Sequence, residues 1–196
     1  RISGRSHAKL ISFGLDYLRV MLKMWTIRNA ATSADYDNRA FDSIIPLQRY
    51  WQRKRCRIIK DFIPESFQTL VDAGCGTSKI IQGLPQAVAI DYSMPKLRFL
   101  RKTSHRRVRA SIDNLPIASA IADVVINSQV IEHVAFDYQI FFEFNRILKP
   151  NGTLIIGTPD YGRIWWPITE FFYGLLLPNA YADEHITHYT RALLSA

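Results

Sequence analysis

Leu70-Val71-Asp72-Ala73-Gly74-Cys75-Gly76-Thr77-Ser78 is an apolar run that ends in an acid and then turns on two glycines. A buried strand feeding a glycine-rich turn brings backbone against a nucleotide-like ligand, in the crevice outside the carboxyl ends of a sheet's strands. The pattern around the stretch is the one such a sheet needs. Residues 68–72 read as the first strand, and a short helix is expected after it, ending by Gly83-Leu84-Pro85. Residues 87–91 read as the second strand and 94–102 as the next helix, with Pro95 at a permitted early position. Strands are then expected over 108–111, 123–128 and 153–158, with a helix over 136–148 and a turn at Lys149-Pro150-Asn151-Gly152 before the last strand. Alternation of this kind implies an α/β fold, a Rossmann-like, doubly wound and mostly parallel sheet with helices on both faces. Nothing after Thr158 reads as a strand, and the sequence stops in what reads as a helix start at Thr190-Arg191-Ala192-Leu193-Leu194. The expectation is a sheet truncated after its fifth strand.

Three parts follow from this reading: N-terminal helices over 1–63, a ligand-binding core over 64–160, and an aromatic-rich cap with the start of a C-terminal part over 161–196. In the first part, residues 7–28 carry Leu10, Ile11, Leu15, Leu18, Leu22 and Trp25 near helical spacing, with Lys9, Arg19, Lys23 and Arg28 between them. Such a helix packs on its own domain or on a partner; a basic, Trp-bearing one can also lie on a membrane surface or serve as a lid. Residues 30–43 read as a polar connector and 46–62 as a second helix, with Gln52-Arg53-Lys54-Arg55 and Arg57 on its solvated face.

The 196 residues, 48% of them hydrophobic, suit one globular domain. Two cysteines, Cys56 and Cys75, offer neither a disulfide framework nor metal spacing, which points to a reducing, cytoplasmic setting. No uncharged apolar run reaches the roughly 18 residues of a membrane span. The net charge of +8 is lopsided. Residues 1–110 hold 21 Lys and Arg against 8 Asp and Glu, whereas residues 111–196 hold 4 against 9. A basic half of this kind suits an anionic membrane surface, nucleic acid, or a merely soluble surface.

The glycine turn lacks the third glycine that lets helix and strand close around a pyrophosphate, so a dinucleotide is the poorer ligand. Asp72, just before the turn, would repel a pyrophosphate but suits a ligand with an α-amino group. Asp91, 19 positions later at the tip of the second strand, can accept hydrogen bonds from both hydroxyls of a ribose.

With these residues the sequence resembles the class I S-adenosylmethionine-dependent methyltransferases, in the small-molecule branch. The series is Val71-Asp72-Ala73-Gly74-Cys75-Gly76, Ala89-Ile90-Asp91-Tyr92-Ser93, Asn114-Leu115-Pro116-Ile117, Ala122-Asp123-Val124-Val125, Val130-Ile131-Glu132-His133-Val134 and Arg146-Ile147-Leu148-Lys149-Pro150-Asn151-Gly152. The resemblance implies S-adenosyl-L-methionine as cofactor. It places Gly74, Cys75 and Gly76 against the methionine part, Asp72 near the amino group, Asp91 on the ribose, Tyr92 against the adenine, and Ser128 beneath the sulfonium. Where the family usually has an acid at the adenine edge this chain has Ser111; Ser111 with the backbone of Ile112, or Asp113 reaching in, takes that place.

Methyl transfer from an activated sulfonium needs in-line positioning, and a base where the acceptor is a hydroxyl. The base candidates are His133, His185 and His188. Some quinone O-methyltransferases hold a divalent metal with a Glu-x-x-Glu-His pattern. Here Gln129 stands in place of the first Glu, and neutral Gln is a poor ligand for a hard cation, so no metal is expected. Asp183-Glu184-His185-Ile186-Thr187-His188 can be read as a metal cluster, but with no partner ligand evident elsewhere a capped helix start with surface histidines is the stronger reading.

Residues 161–181 crowd Trp165, Trp166, Phe171, Phe172, Tyr173, Leu175, Leu176 and Leu177 together. As a substrate cover this suggests an apolar or aromatic small-molecule acceptor; as packing it suggests the N-terminal helices or a dimer contact. The leading expectation is methyl transfer to a hydroxyl of a lipid-, quinone- or glycan-like molecule, with peripheral membrane contact conceivable. RNA as acceptor is the weaker reading, and a non-catalytic scaffold that retains the fold is the third.

Overall fold

The computed structural model describes residues 6–28, 30–77, 79–103, 106–176 and 185–195. Five parallel strands, β1 (Leu70–Ala73), β2 (Ala87–Asp91), β3 (Arg106–Arg109), β4 (Ala122–Ser128) and β5 (Leu148–Gly157), form one sheet in the order β3-β2-β1-β4-β5. β1 is central, and the chain winds outward from it in both directions. The order therefore reverses between β1 and β4, which opens a crevice at their carboxyl ends. Among the described residues no strand follows Gly157.

Alternation along the strands sorts the core into two layers. Leu70, Ala89, Val124, Ile126 and Ile155 face one side, where they meet Cys56 and Ile59 of α3 (Pro46–Phe62) and Leu97 of α4 (Met94–Phe99). Val71, Ala73, Ile90 and Val125 face the other, against Ile140, Phe144 and Ile147 of α5 (Tyr138–Ile147). Strands buried on both faces need apolar residues at successive positions, which is why β1 and β4 are nearly continuous apolar runs.

Three elements differ from the sequence reading. No helix occurs among the described residues of 74–86, where a short one was expected. Gly74, Gly76 and Gly83 all adopt positive φ there, and the adjacent Ile80 and Ile81 both drop into the core, a pattern without helical period. α3 covers much of that face instead. The connector over 30–43 contains a short helix, α2 (Tyr36–Phe41), whose Tyr36, Asp37 and Ala40 are buried. β3 lies two residues earlier than expected, so Ser111 falls beyond it in a turn; pairing of Asp91 with Arg109 sets that register.

The far end of the sheet is fastened by Asp123. Its Oδ2 accepts hydrogen bonds from the Gln68 and Thr69 amides (2.9 and 2.8 Å), and its Oδ1 accepts from Lys149 Nζ (2.7 Å). The Leu115 loop is held to α5 by Glu143 and Arg146: Glu143 accepts from the Leu115 amide (2.7 Å) and pairs with Arg146 through both oxygens. Arg146 also donates to the Leu115 and Ile117 carbonyls. These parts of the motif series are thus structural fasteners.

The other helices lie outside the sheet's layers. α1 (Ser6–Arg28) exposes Phe13, Leu15, Leu18, Leu22 and Ile27. α6 (Trp165–Leu176) exposes Trp165, Phe171, Phe172 and Leu175, while Trp166 meets Trp51 of α3 with ring centroids 5.4 Å apart. No described helix is long and apolar enough to cross a membrane. A final turn, α7 (Arg191–Leu194), is capped by Thr190, whose side chain accepts from the Leu193 amide.

Candidate active site

A cavity of about 560 Å³ opens at the carboxyl ends of β1, β2 and β4. Among its lining residues are Gly74, Cys75, Gly76, Asp91, Tyr92, Ser111, Ile112, Ser128 and His133, nearly the whole set expected from the sequence. Asp72 lies behind this lining, almost completely buried. His185 and His188 do not line the cavity. Asp183 and Glu184 lie outside the described residues.

The glycine loop has a local and a long-range cause. Gly74 and Gly76 both have positive φ, and the amides of Gly74 and Cys75 share the Ile90 carbonyl (2.8 and 2.9 Å). A Cβ on Gly74 would stand 2.5 Å from Val130 Cγ2, and one on Gly76 would stand 2.5 Å from Asp37 Oδ2. The loop is therefore pressed between the turn after β4 and helix α2. Asp37 Oδ2 accepts from the Thr77 amide (3.0 Å) and from its hydroxyl (3.3 Å). Arg55, on α3, also lines the cavity, 3.9 Å from Asp37. Sequence reading missed Asp37 and Arg55 because their stretches looked like a polar connector and a solvated face; the signal available was Tyr36 and Ala40 at helical spacing.

Asp91 spans the loop. Its Oδ2 accepts from the Gly76 amide (2.8 Å) and its Oδ1 from the Ser93 amide (2.7 Å). Each carboxylate oxygen retains a lone pair, so a ribose diol can still be held. Tyr92 is largely exposed at the rim, with the Arg109 guanidinium 5.4 Å over its ring.

Several buried polar atoms at this end of the sheet have no hydrogen-bond partner: Asp72 Oδ2, Asn127 Oδ1, Ser128 Oγ and Glu132 Oε1. Orphaned groups in such number mark a site made to meet a ligand. Burial raises the Asp72 carboxyl to about 7, and the charge of Arg55 pulls in the opposite direction. Asn127 Nδ2 donates to the Ala73 carbonyl (2.7 Å), stitching β4 to β1 at the crevice. Just beyond it Gln129 takes a positive φ of 59° and donates its amide to the Gly157 carbonyl (2.6 Å). A non-glycine residue held there stores backbone strain at the mouth of the cavity.

The second half of the site is built by chain that is remote in sequence. Ile131–His133 form a single 3₁₀ turn, and the segment 185–189 docks on it. The amides of Ile186 and Thr187 donate to the Glu132 carbonyl (2.7 and 3.0 Å), Thr187 Oγ1 donates to the Val134 carbonyl (2.7 Å), and Tyr189 is completely buried. This brings the rings of His133 and His185 to 4.8 Å. The side chain of His185 is only 5% exposed, which corrects the expectation of a surface histidine. Its Nδ1 lies 2.6 Å from Glu170 Oε1 and 2.5 Å from the Tyr161 hydroxyl. His188 is exposed and stacks on Tyr161, ring centroids 4.0 Å apart. Burial raises the Glu132 carboxyl to about 7, with the Thr158 hydroxyl, 3.1 Å from Oε2, acting in the opposite direction.

The residues fit S-adenosyl-L-methionine. Asp91 would offer acceptors for a ribose and the glycine loop a surface without side chains, while the buried Asp72 would act on an ammonium from behind the lining. No residue of α6 lines the cavity among those described.

Comparison with known proteins agrees with this geometry. Residues 71–156 match a family described as "Methyltransferase domain". A "Probable S-adenosylmethionine-dependent methyltransferase" of Mycobacterium tuberculosis is 28% identical over 123 residues, 59% of this chain and 45% of that protein. The malonyl-[acyl-carrier protein] O-methyltransferase of Methylovorus is 30% identical over 160 residues, 69% of this chain and 53% of that enzyme. The chain thus spans about half the length of these curated relatives. Among solved structures, a SAM-dependent methyltransferase of Thermotoga maritima superposes with a TM-score of 0.62 at 19% identity, covering 80% of this chain and 75% of that one. Over residues 71–156 the chain is thus similar to methyltransferases that take their methyl group from S-adenosyl-L-methionine.

Proposed function

We propose that the protein transfers the methyl group of S-adenosyl-L-methionine to an oxygen of a small, apolar or ring-bearing acceptor. The observation that carries this reading is the convergence of the glycine loop, Asp91, Ser128 and His133 on one cavity at the strand ends. The cofactor brings an activated methyl. The chain's task is to hold it, exclude water and present an acceptor oxygen in line. His133 is the histidine on the cavity wall, and His185 stands behind it. An O-methyltransferase among the relatives supports oxygen as the atom methylated.

Calorimetric titration of S-adenosyl-L-methionine into the protein, with Asp91→Ala as control, tests the first half. Saturable binding that Asp91→Ala abolishes supports the reading; no binding by the wild-type protein overturns it. Methyl transfer to lipid and quinone-like acceptors, followed by product mass, tests the second half, and methylated nitrogen or carbon in place of oxygen would overturn it.

RNA as the acceptor has one observation in its favour, a shallow groove on α3 lined by Arg49, Tyr50, Arg53, Lys54 and Arg57. Phosphate contacts through such a groove would make RNA affinity fall steeply with salt. A flat response rules this acceptor out.

A further inference from the structure

Beside the cofactor cavity, and distinct from the part that would hold the nucleoside, three side chains from two remote segments converge. One carboxylate oxygen of Glu132 and one ring nitrogen each of His133 and His185 lie within 4.8 Å of one another. Glu132 and His133 are neighbours in the 3₁₀ turn after β4, and His185 is delivered by the segment whose amides bond the Glu132 carbonyl. We propose that Glu132, His133 and His185 bind a divalent transition cation of the zinc type.

Four features of the cluster support this. Glu132 is completely buried, its Oε2 accepts from Thr158, and its Oε1 makes no close hydrogen bond. An orphaned buried carboxylate oxygen next to two imidazoles is a strong acceptor aimed at a missing partner. Second, Glu170 and Tyr161 hold the His185 ring through Nδ1. A carboxylate behind a histidine is the arrangement that fixes ring orientation and raises basicity in metal sites. Third, two imidazole nitrogens and one carboxylate suit borderline cations such as zinc, and disfavour magnesium and calcium, which take oxygen. Fourth, ligand atoms around a cation with bonds of about 2.1 Å stand roughly 3.4 Å apart. Modest side-chain rotation would therefore close the cluster.

Gln129 takes no part in the cluster; its side-chain amide donates to the Gly157 carbonyl at 3.3 Å. The third ligand comes from His185 instead, 52 positions after His133, a partner that the spacing around residues 183–188 does not reveal.

The role of the cation rests on the O-methyl transfer proposed above. Three protein ligands leave a position open to an acceptor hydroxyl, and a cation there lowers the hydroxyl's pKa. The hydroxyl proton would pass to solvent. The oxygen would then form its bond to the methyl carbon as the carbon–sulfur bond breaks, and S-adenosylhomocysteine would leave as a neutral thioether.

The test needs neither cofactor nor acceptor. Protein stripped with a chelator is titrated with Zn²⁺ by calorimetry, and separately with Co²⁺ while the visible absorption is recorded. The expected result is one equivalent bound, with a cobalt spectrum of low coordination number and nitrogen ligands. Glu132→Gln and His185→Ala should each weaken Zn²⁺ binding by about 100-fold or more, and Glu170→Gln, acting through His185, by about tenfold. His188→Ala should leave it unchanged. Absence of stoichiometric Zn²⁺ binding overturns the proposal. So does binding that survives both ligand substitutions, because the cation then sits elsewhere, on Cys56 or Cys75 for example. Titration of the stripped protein with S-adenosyl-L-methionine separates failure of this site from failure of the methyltransferase reading.

Discussion

The two halves of the site are built in opposite ways. The glycine-loop half is local: β1, its turn and the tip of β2 lie within residues 70–93, and the backbone amides of one close on the carboxylate of another. The histidine half is assembled from residues 131–134, 158–170 and 185–189, joined by tertiary hydrogen bonds and ring contacts. Each half buries a carboxylate, Asp72 and Glu132, raised to about 7 chiefly by burial.

The largest expected effect tests the local half. Gly76→Ala places a Cβ 2.5 Å from Asp37 Oδ2 at a φ of +53°. It should weaken S-adenosyl-L-methionine binding by about 100-fold, equivalent to roughly 3 kcal/mol of strain, measured by calorimetry. In an Asp37→Ala background the loss should shrink, because the clash is gone and only the backbone conformation remains unfavourable. An unchanged loss would mean that α2 does not press on the loop.

A pH effect comes next. If Asp72 meets the cofactor's ammonium it must be ionised to do so, and burial pushes its carboxyl up to about 7 in the free protein. Cofactor affinity should therefore fall as pH drops below 7, approaching tenfold per unit, and Asp72→Asn should bind weakly with no such slope. The free protein shows the opposite sign: a carboxyl raised above its unfolded value stabilises the fold at low pH, and that stability is lost as pH rises toward 7. Arg55→Ala removes the nearby positive charge that lowers Asp72, so the midpoint of the binding profile should move upward. A midpoint that stays in place would separate Arg55 from Asp72.

The smallest effect tests the remote half. Thr187→Val deletes the hydrogen bond to the Val134 carbonyl and should cost about 1 kcal/mol of stability, read by chemical denaturation, with cofactor affinity unchanged. Loss of cofactor binding in this variant would show that the two halves are coupled.

Much of the fold was legible because its signals are short-range. β2 and α3 have the bounds read from the sequence, and β4 and α5 differ by a residue or two at their ends. Central strands carry apolar residues on both faces, and helices have period and caps. The expected helix after β1 failed where three glycines and a proline outweighed an apolar run, and α2 was hidden because six residues show barely one and a half turns of period.

By itself the sequence determined the parallel sheet, the glycine turn, the carboxylates at the ends of β1 and β2, and the resemblance to methyltransferases over residues 71–156. Those features follow from propensity and burial within a few neighbouring residues. Only the tertiary structure decided that Asp37 braces the glycine loop, that Arg55 enters the cavity, and that His185 is buried against Glu170 and Tyr161 beside His133. Each of those depends on chain segments tens of residues apart, and no local pattern encodes where two such segments will meet.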